Sequence, residues 1–140
     1  MTAQTNALCA TATYNLNPNG TISVFNQERV GNVNGSISSI LGWANCQDPS
    51  QPGQLTVHFP PPVPFPAPYW VLQLGPVIGD QYQFAIVSDP NQFSLYVLAR
   101  DPVVFAAKFD AGVRAQLNAW GFTQVWNEPT QMVQAGCPPF

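Results

Sequence analysis

With 46% of its 140 residues hydrophobic and 8% charged, the chain holds enough apolar material for one cored domain, and it lacks the signature of a disordered segment. A net charge of −3 and four scattered cations, Arg29, Arg100, Lys108 and Arg114, give no basic stripe for nucleic acid. No apolar run reaches the roughly 18 residues of a membrane helix, and Met1-Thr2-Ala3-Gln4 has neither the cationic nor the apolar region of a secretory leader.

Residues 10–16 alternate apolar and polar side chains, and Asn17-Pro18-Asn19-Gly20 then makes a turn. Alternation resumes over 21–27, and a second turn, Gly-Asn-Val-Asn-Gly at 31–35, leads into a strand over 36–46. A polar loop at 48–53 precedes Leu55-Thr56-Val57-His58-Phe59, whose alternation turns His58 away from the apolar side. Six of the nine residues in 60–68 are proline, so that stretch, with Phe65, reads as a rigid apolar loop and not as sheet. Residues 69–74, 82–88 and 94–99 are three further strands, set apart by turns containing Gly or Asp-Pro. About seven strands at such short spacing describe an antiparallel barrel or sandwich.

One segment breaks the period of two. Ala106, Phe109, Val113, Leu117 and Trp120 are spaced 3, 4, 4 and 3, the face of an amphipathic helix over about 104–120. Asp101 and Pro102 offer a cap and a first-turn proline, and Gly121 a stop. Residues 123–126 are a candidate for a short final strand, and 127–140 form a tail. The single histidine leaves no Ser-His-Asp or Cys-His set and no metal cluster. No enzymatic activity, cofactor or metal is expected. Asn19-Gly20-Thr21 and Asn34-Gly35-Ser36 are glycosylation sequons as well as Asn-Gly turns, so Asn19 and Asn34 are candidates for a glycan.

This order of elements resembles the lipocalins, in particular the apolipoprotein D and bacterial lipocalin branch. Cys9-Ala-Thr-Ala-Thr-Tyr14-Asn-Leu16, Val24-Phe25-Asn26-Gln27-Glu28, Ile40-Leu41-Gly42-Trp43-Ala44 and Pro68-Tyr69-Trp70-Val71-Leu72 are similar to successive strands of that branch. Tyr82-Gln-Phe-Ala85-Ile-Val87 and Leu95-Tyr96-Val97-Leu98-Ala99-Arg100-Asp101-Pro102 resemble its last strands, the second ending in the family's Arg-x-Pro. Lipocalins open with a strand carrying Gly-x-Trp; this chain starts at what resembles the second strand.

The resemblance implies an all-β, up-and-down barrel of about seven to eight strands with one C-terminal helix packed outside, as a single domain over 1–140. It implies a disulfide between Cys9 and Cys137, which leaves Cys46 as a free thiol, and with it a secreted protein. It implies a small hydrophobic ligand (fatty acid, lysophospholipid, sterol, retinoid or pigment) inside the barrel. Parity along the strands then gives the lining. Tyr14 shares a face with Ala10, Ala12 and Leu16; Val24, Asn26 and Glu28 share another; Val57 and Phe59 a third. Tyr69, Tyr96 and Leu98 are ligand-facing by resemblance. Asn26 and Glu28 are the scarce polar groups that would orient the ligand, Glu28 being placed equally well as a solvated rim residue. The alternatives are a side-chain-filled barrel acting as an interaction protein and, from the wider superfamily, an isomerase or haem binder. Nucleic acid and an integral membrane segment are not expected. A homodimer through an uncovered sheet edge or the proline-rich loop is the macromolecular partner to consider.

Overall fold

Alternating side chains and Asn-rich turns build an antiparallel meander at the start of the chain in the computed structural model, which describes residues 6–140. Residues 1–4, read above for a leader, and the first part of the expected domain lie outside the described residues. Strands β1 (Ala7–Leu16), β2 (Ile22–Val30), β3 (Ile37–Cys46) and β4 (Gln54–His58) are sheet neighbours in chain order. The β1–β2 turn closes through Gly20 N–H on Asn17 O and Asn17 N–H on Thr21 O, while Asn19 Oδ1 accepts from the Thr21 amide and hydroxyl. These strands and the tail Gln131–Phe140 form one compact unit; Pro68–Thr130 form a second.

A one-residue slip between Leu8 and Thr11 makes a bulge in β1. Strict alternation therefore ends at Thr11, and Ala10 belongs to the bulge instead of following from the parity of Tyr14. Cys9, within the bulge, takes a positive φ of 57° and is buried. Its amide donates to Val133 O, Gln134 Nε2 donates to Ala10 O, and its sulfur is bonded to Cys137. The tail is further held by Arg29, whose guanidinium donates to Pro139 O at 3.0 Å and lies over the Phe140 ring.

In the second unit β5 (Ala67–Leu74), β8 (Phe84–Ser88) and β9 (Leu95–Ala99) are neighbours in that order. Between β5 and β8 a small hairpin, β6 (Val77–Ile78) with β7 (Gln81–Tyr82), turns at Gly79-Asp80 with both φ values positive, as a two-residue hairpin turn requires. The strand expected to start at Tyr69 begins two residues earlier, with Pro68 inside it.

Helices α1 (Pro102–Lys108) and α2 (Asp110–Ala119) replace the single expected helix. Asp101 caps α1 by accepting from the Val103 and Val104 amides, and Pro102 occupies the first turn, where it forfeits no hydrogen bond. The chain kinks at Phe109, whose φ of −120° leaves the helical range while its amide still donates to Phe105 O. Phe105 and Phe109 both approach Phe84, with ring centroids 5.7 and 5.4 Å away. Phe84, Ile86, Val113, Leu117 and Phe122 form the buried core of this unit, with Leu95 and Val97 packed against it.

The expected final strand at 123–126 is a turn. Its backbone bonds locally, Asn127 and Glu128 N–H donating to Gln124 O, and Val125 and Trp126 are exposed. Only Asn127 is buried there, its side chain joining Gln124 N–H to Gln92 O.

Candidate functional site

Cross-strand pairing decides which side chains of the first unit share a face. Tyr14 pairs with Val24 and Val24 with Gly42; Ala12 pairs with Asn26 and Asn26 with Ile40. Ile22 pairs with Ala44 and Ala44 with Val57, while Glu28 stands opposite Ser38. Residues directly opposite each other project to the same side of a sheet. Tyr14, Val24, Asn26, Glu28 and Val57 therefore lie on one face, here the Tyr14 face. Phe59 follows β4 with its ring over Gly42, where any Cβ would meet Phe59 Cδ1 at 2.5 Å.

Val24, Gly42, Ala44 and Val57 are buried on this face. The opposite face carries Phe25 across from Leu41, and Trp43 across from Ser23 and His58. His58 is thus turned away from the Tyr14 face, as its parity requires. Its ring stacks on Trp43 at 3.8 Å and Nε2 lies 3.0 Å from Asn45 Oδ1.

Polar groups on the Tyr14 face are few. Asn26 Oδ1 is buried and has no hydrogen-bond partner among the described residues. Such an atom costs free energy comparable to a lost hydrogen bond, so it marks a place where a donor is favoured. Glu28, half-buried, lies two residues along the same strand face.

The second unit has a face of its own. Tyr96 pairs with Val87, Leu98 with Ala85, and Val71 with Val87. Tyr69, two residues before Val71, shares that side by parity. The reverse side carries Phe84, Ile86 and Val97, which pack with the helices. Tyr69, Tyr96 and Leu98 therefore stand on the side away from the helices. Burial, and after it the charge of Asp89, pushes the Tyr96 phenol above its ordinary 10.0, so it remains a neutral donor at physiological pH.

Sequence reasoning missed Ile40, Gly42 and Ala44 on the Tyr14 face and Ala85 and Val87 on the Tyr96 face. The register of β2 against β3 was the signal for the first three, because Val24 and Asn26 already define the side. Arg100, expected to serve the family's Arg-x-Pro position, donates from Nε to Tyr82 O at 2.9 Å. Cys46 is exposed and unpaired, its thiol donating to Asp48 O. Asn19 and Asn34 are exposed in their turns, and Phe65 is exposed in the proline-rich loop. Among the described residues no group of three or more His, Cys, Asp or Glu is placed to hold a metal, and no helix is long and apolar enough to cross a membrane.

A family model described as a lipocalin-like domain matches residues 1–127. Temperature-induced lipocalin-1 of Arabidopsis thaliana is 37% identical over 101 residues, 68% of this chain and 50% of that protein. Apolipoprotein D of Mus musculus is 33% identical over 101 residues, 67% of this chain and 49% of that protein. The chain thus spans about half the length of these curated relatives.

Proposed function

Because the chain belongs to the lipocalin-like domain family, we propose that it binds and carries a small hydrophobic ligand and performs no catalysis. Its antiparallel strands followed by helices agree with that family's fold. The observation that carries the proposal is the Tyr14 face: Ala12 and Ala44 are small beside Tyr14, Val24 and Val57, and the Phe59 ring covers Gly42. Apolar surface with small residues and isolated polar groups suits a lipophilic guest, whose burial supplies about 25 cal/mol per Å² of apolar area.

The Cys9–Cys137 bond supports residence in an oxidising compartment. In such a compartment Asn19 and Asn34 are open to glycosylation, being exposed in their turns. Native mass spectrometry of the purified protein, followed by fluorescence titration with a panel of lipids, retinoids and sterols, tests the proposal. A co-purified lipophile or saturable binding is expected. A bare mass together with no response to any member of the panel overturns it, and leaves a side-chain-filled interaction protein.

A further inference from the structure

The polar groups of the Tyr14 face also restrict which end group a hydrophobic guest can carry. Asn26 Oδ1 is a buried acceptor without a donor among the described residues, between Ala12 on β1 and Ile40 on β3. Glu28 adds a carboxylate on the same side of β2, about 7 Å further along the strand. Among the described residues Glu28 forms no salt bridge. Arg29 alternates to the other side, where its terminal nitrogens donate to Gly35 O and Pro139 O, its guanidinium lies over the Phe140 ring, and its Nε is buried without a partner among the described residues.

We propose that the Tyr14 face selects apolar molecules ending in an uncharged hydroxyl and rejects those ending in a carboxylate. An alcohol donates its proton to Asn26 Oδ1 and so satisfies the buried acceptor. Should the amide present Nδ2 instead, the same hydroxyl accepts, because an alcohol is both donor and acceptor. An ionised carboxylate has no proton to give and would bring a second negative charge beside Glu28, where the partly desolvated setting makes like charges costly. The proposal rests on the hydrophobic-ligand reading above and narrows it.

Calorimetric titration at neutral pH with three probes of equal chain length, dodecanol, methyl dodecanoate and dodecanoate, provides the test. Dodecanol is expected to bind about five- to tenfold more tightly than the ester, which lacks a donor, and dodecanoate more weakly than both. Asn26→Leu is expected to bring the alcohol to the level of the ester. Glu28→Gln is expected to narrow the deficit of the acid relative to the alcohol. Dodecanoate binding as tightly as dodecanol to the unaltered protein overturns the proposal, as does an alcohol-to-ester ratio that Asn26→Leu leaves untouched. If all three probes bind alike, the hydrophobic-ligand reading stands and the hydroxyl preference falls. If none binds while a member of the wider panel does, the hydroxyl preference falls and the hydrophobic-ligand reading stands; if nothing in either set binds, both fall. The ranking on the unaltered protein and the Glu28→Gln result decide the matter even if Asn26→Leu fails to fold.

Discussion

A Cβ built on Gly42 would sit 2.5 Å from Phe59 Cδ1 and 2.8 Å from Cε1, and closer still to the backbone oxygen of His58. The aromatic ring could swing aside, but the His58 carbonyl belongs to a strand. Gly42 does not have a positive φ, so conformational freedom is not what the position uses. In an open strand Gly→Ala would bring a small gain from reduced unfolded-state entropy. Here overpacking dominates, and Gly42→Ala is expected to destabilise by about 1–3 kcal/mol. Urea denaturation monitored by circular dichroism measures it. A variant as stable as the parent would show that Phe59 does not lie over residue 42. The same glycine explains why part of the Tyr14 face escaped sequence reading. In β3 the large side chains face outward, Leu41 at 60% and Trp43 at 44% exposure, and the small ones, Gly42 and Ala44, are buried. Ranking β3 by hydrophobicity alone points to the wrong side; only its register against β2 corrects it.

Elements were legible where local chemistry acts alone. Asn-Gly turns, most period-two strands and the Asp101–Pro102 start are written in a few adjacent residues and appear near the expected bounds, whereas β5 starts two residues early and the strand expected over 82–88 is divided, Tyr82 joining the small hairpin. The kink at Phe109 was not legible, since an unbroken apolar face reads as one helix. Val125 and Trp126 also misled: two bulky residues look like a strand, yet the backbone there bonds locally, Asn127 and Glu128 N–H donating to Gln124 O. The β8–β9 connection shows a local device whose strength depends on pH. Burial works against the Asp89 carboxylate, but the Ser94 hydroxyl and amides from Asn91, Ser94 and Phe93 outweigh it and hold its pKa below the ordinary 3.8. A depressed folded-state pKa contributes stability above the unfolded value and loses it as pH falls through the folded one. Asp89→Asn is therefore expected to be less stable than the parent at neutral pH, with the gap shrinking as pH drops below about 4. Chemical denaturation of both proteins from pH 7 to pH 2 tests this; a gap independent of pH would mean the charge of Asp89 does not matter to the turn.

For the molecule as a whole, the feature least derivable from spacing is the covalent tie between the ends. Three cysteines permit several pairings, and only the likeness to a known branch singled out Cys9 with Cys137. The structure adds the physical reason the pair can form. The β1 bulge turns Cys9 to the tail, Val133 and Gln134 bond to the bulged backbone, and the two Cα atoms stand 5.6 Å apart. With 128 residues of separation, the bond restricts nearly the whole unfolded chain. In the loop-entropy model a ring of that size is worth about 5 kcal/mol, a large share of the stability of a domain this small. Replacing both cysteines by alanine is expected to lower the denaturant midpoint without a comparable loss of native strand content. It should also expose 131–140 to proteolysis, because Arg29, Val133 and Gln134 alone would hold the tail. Reductant should move the parent toward the double variant and leave the variant itself unmoved. Thiol titration gives the matching chemical count: one reactive group, Cys46, in the oxidised native protein. A midpoint insensitive to reductant, with three titratable thiols before and after, would mean that the ends are joined by packing alone.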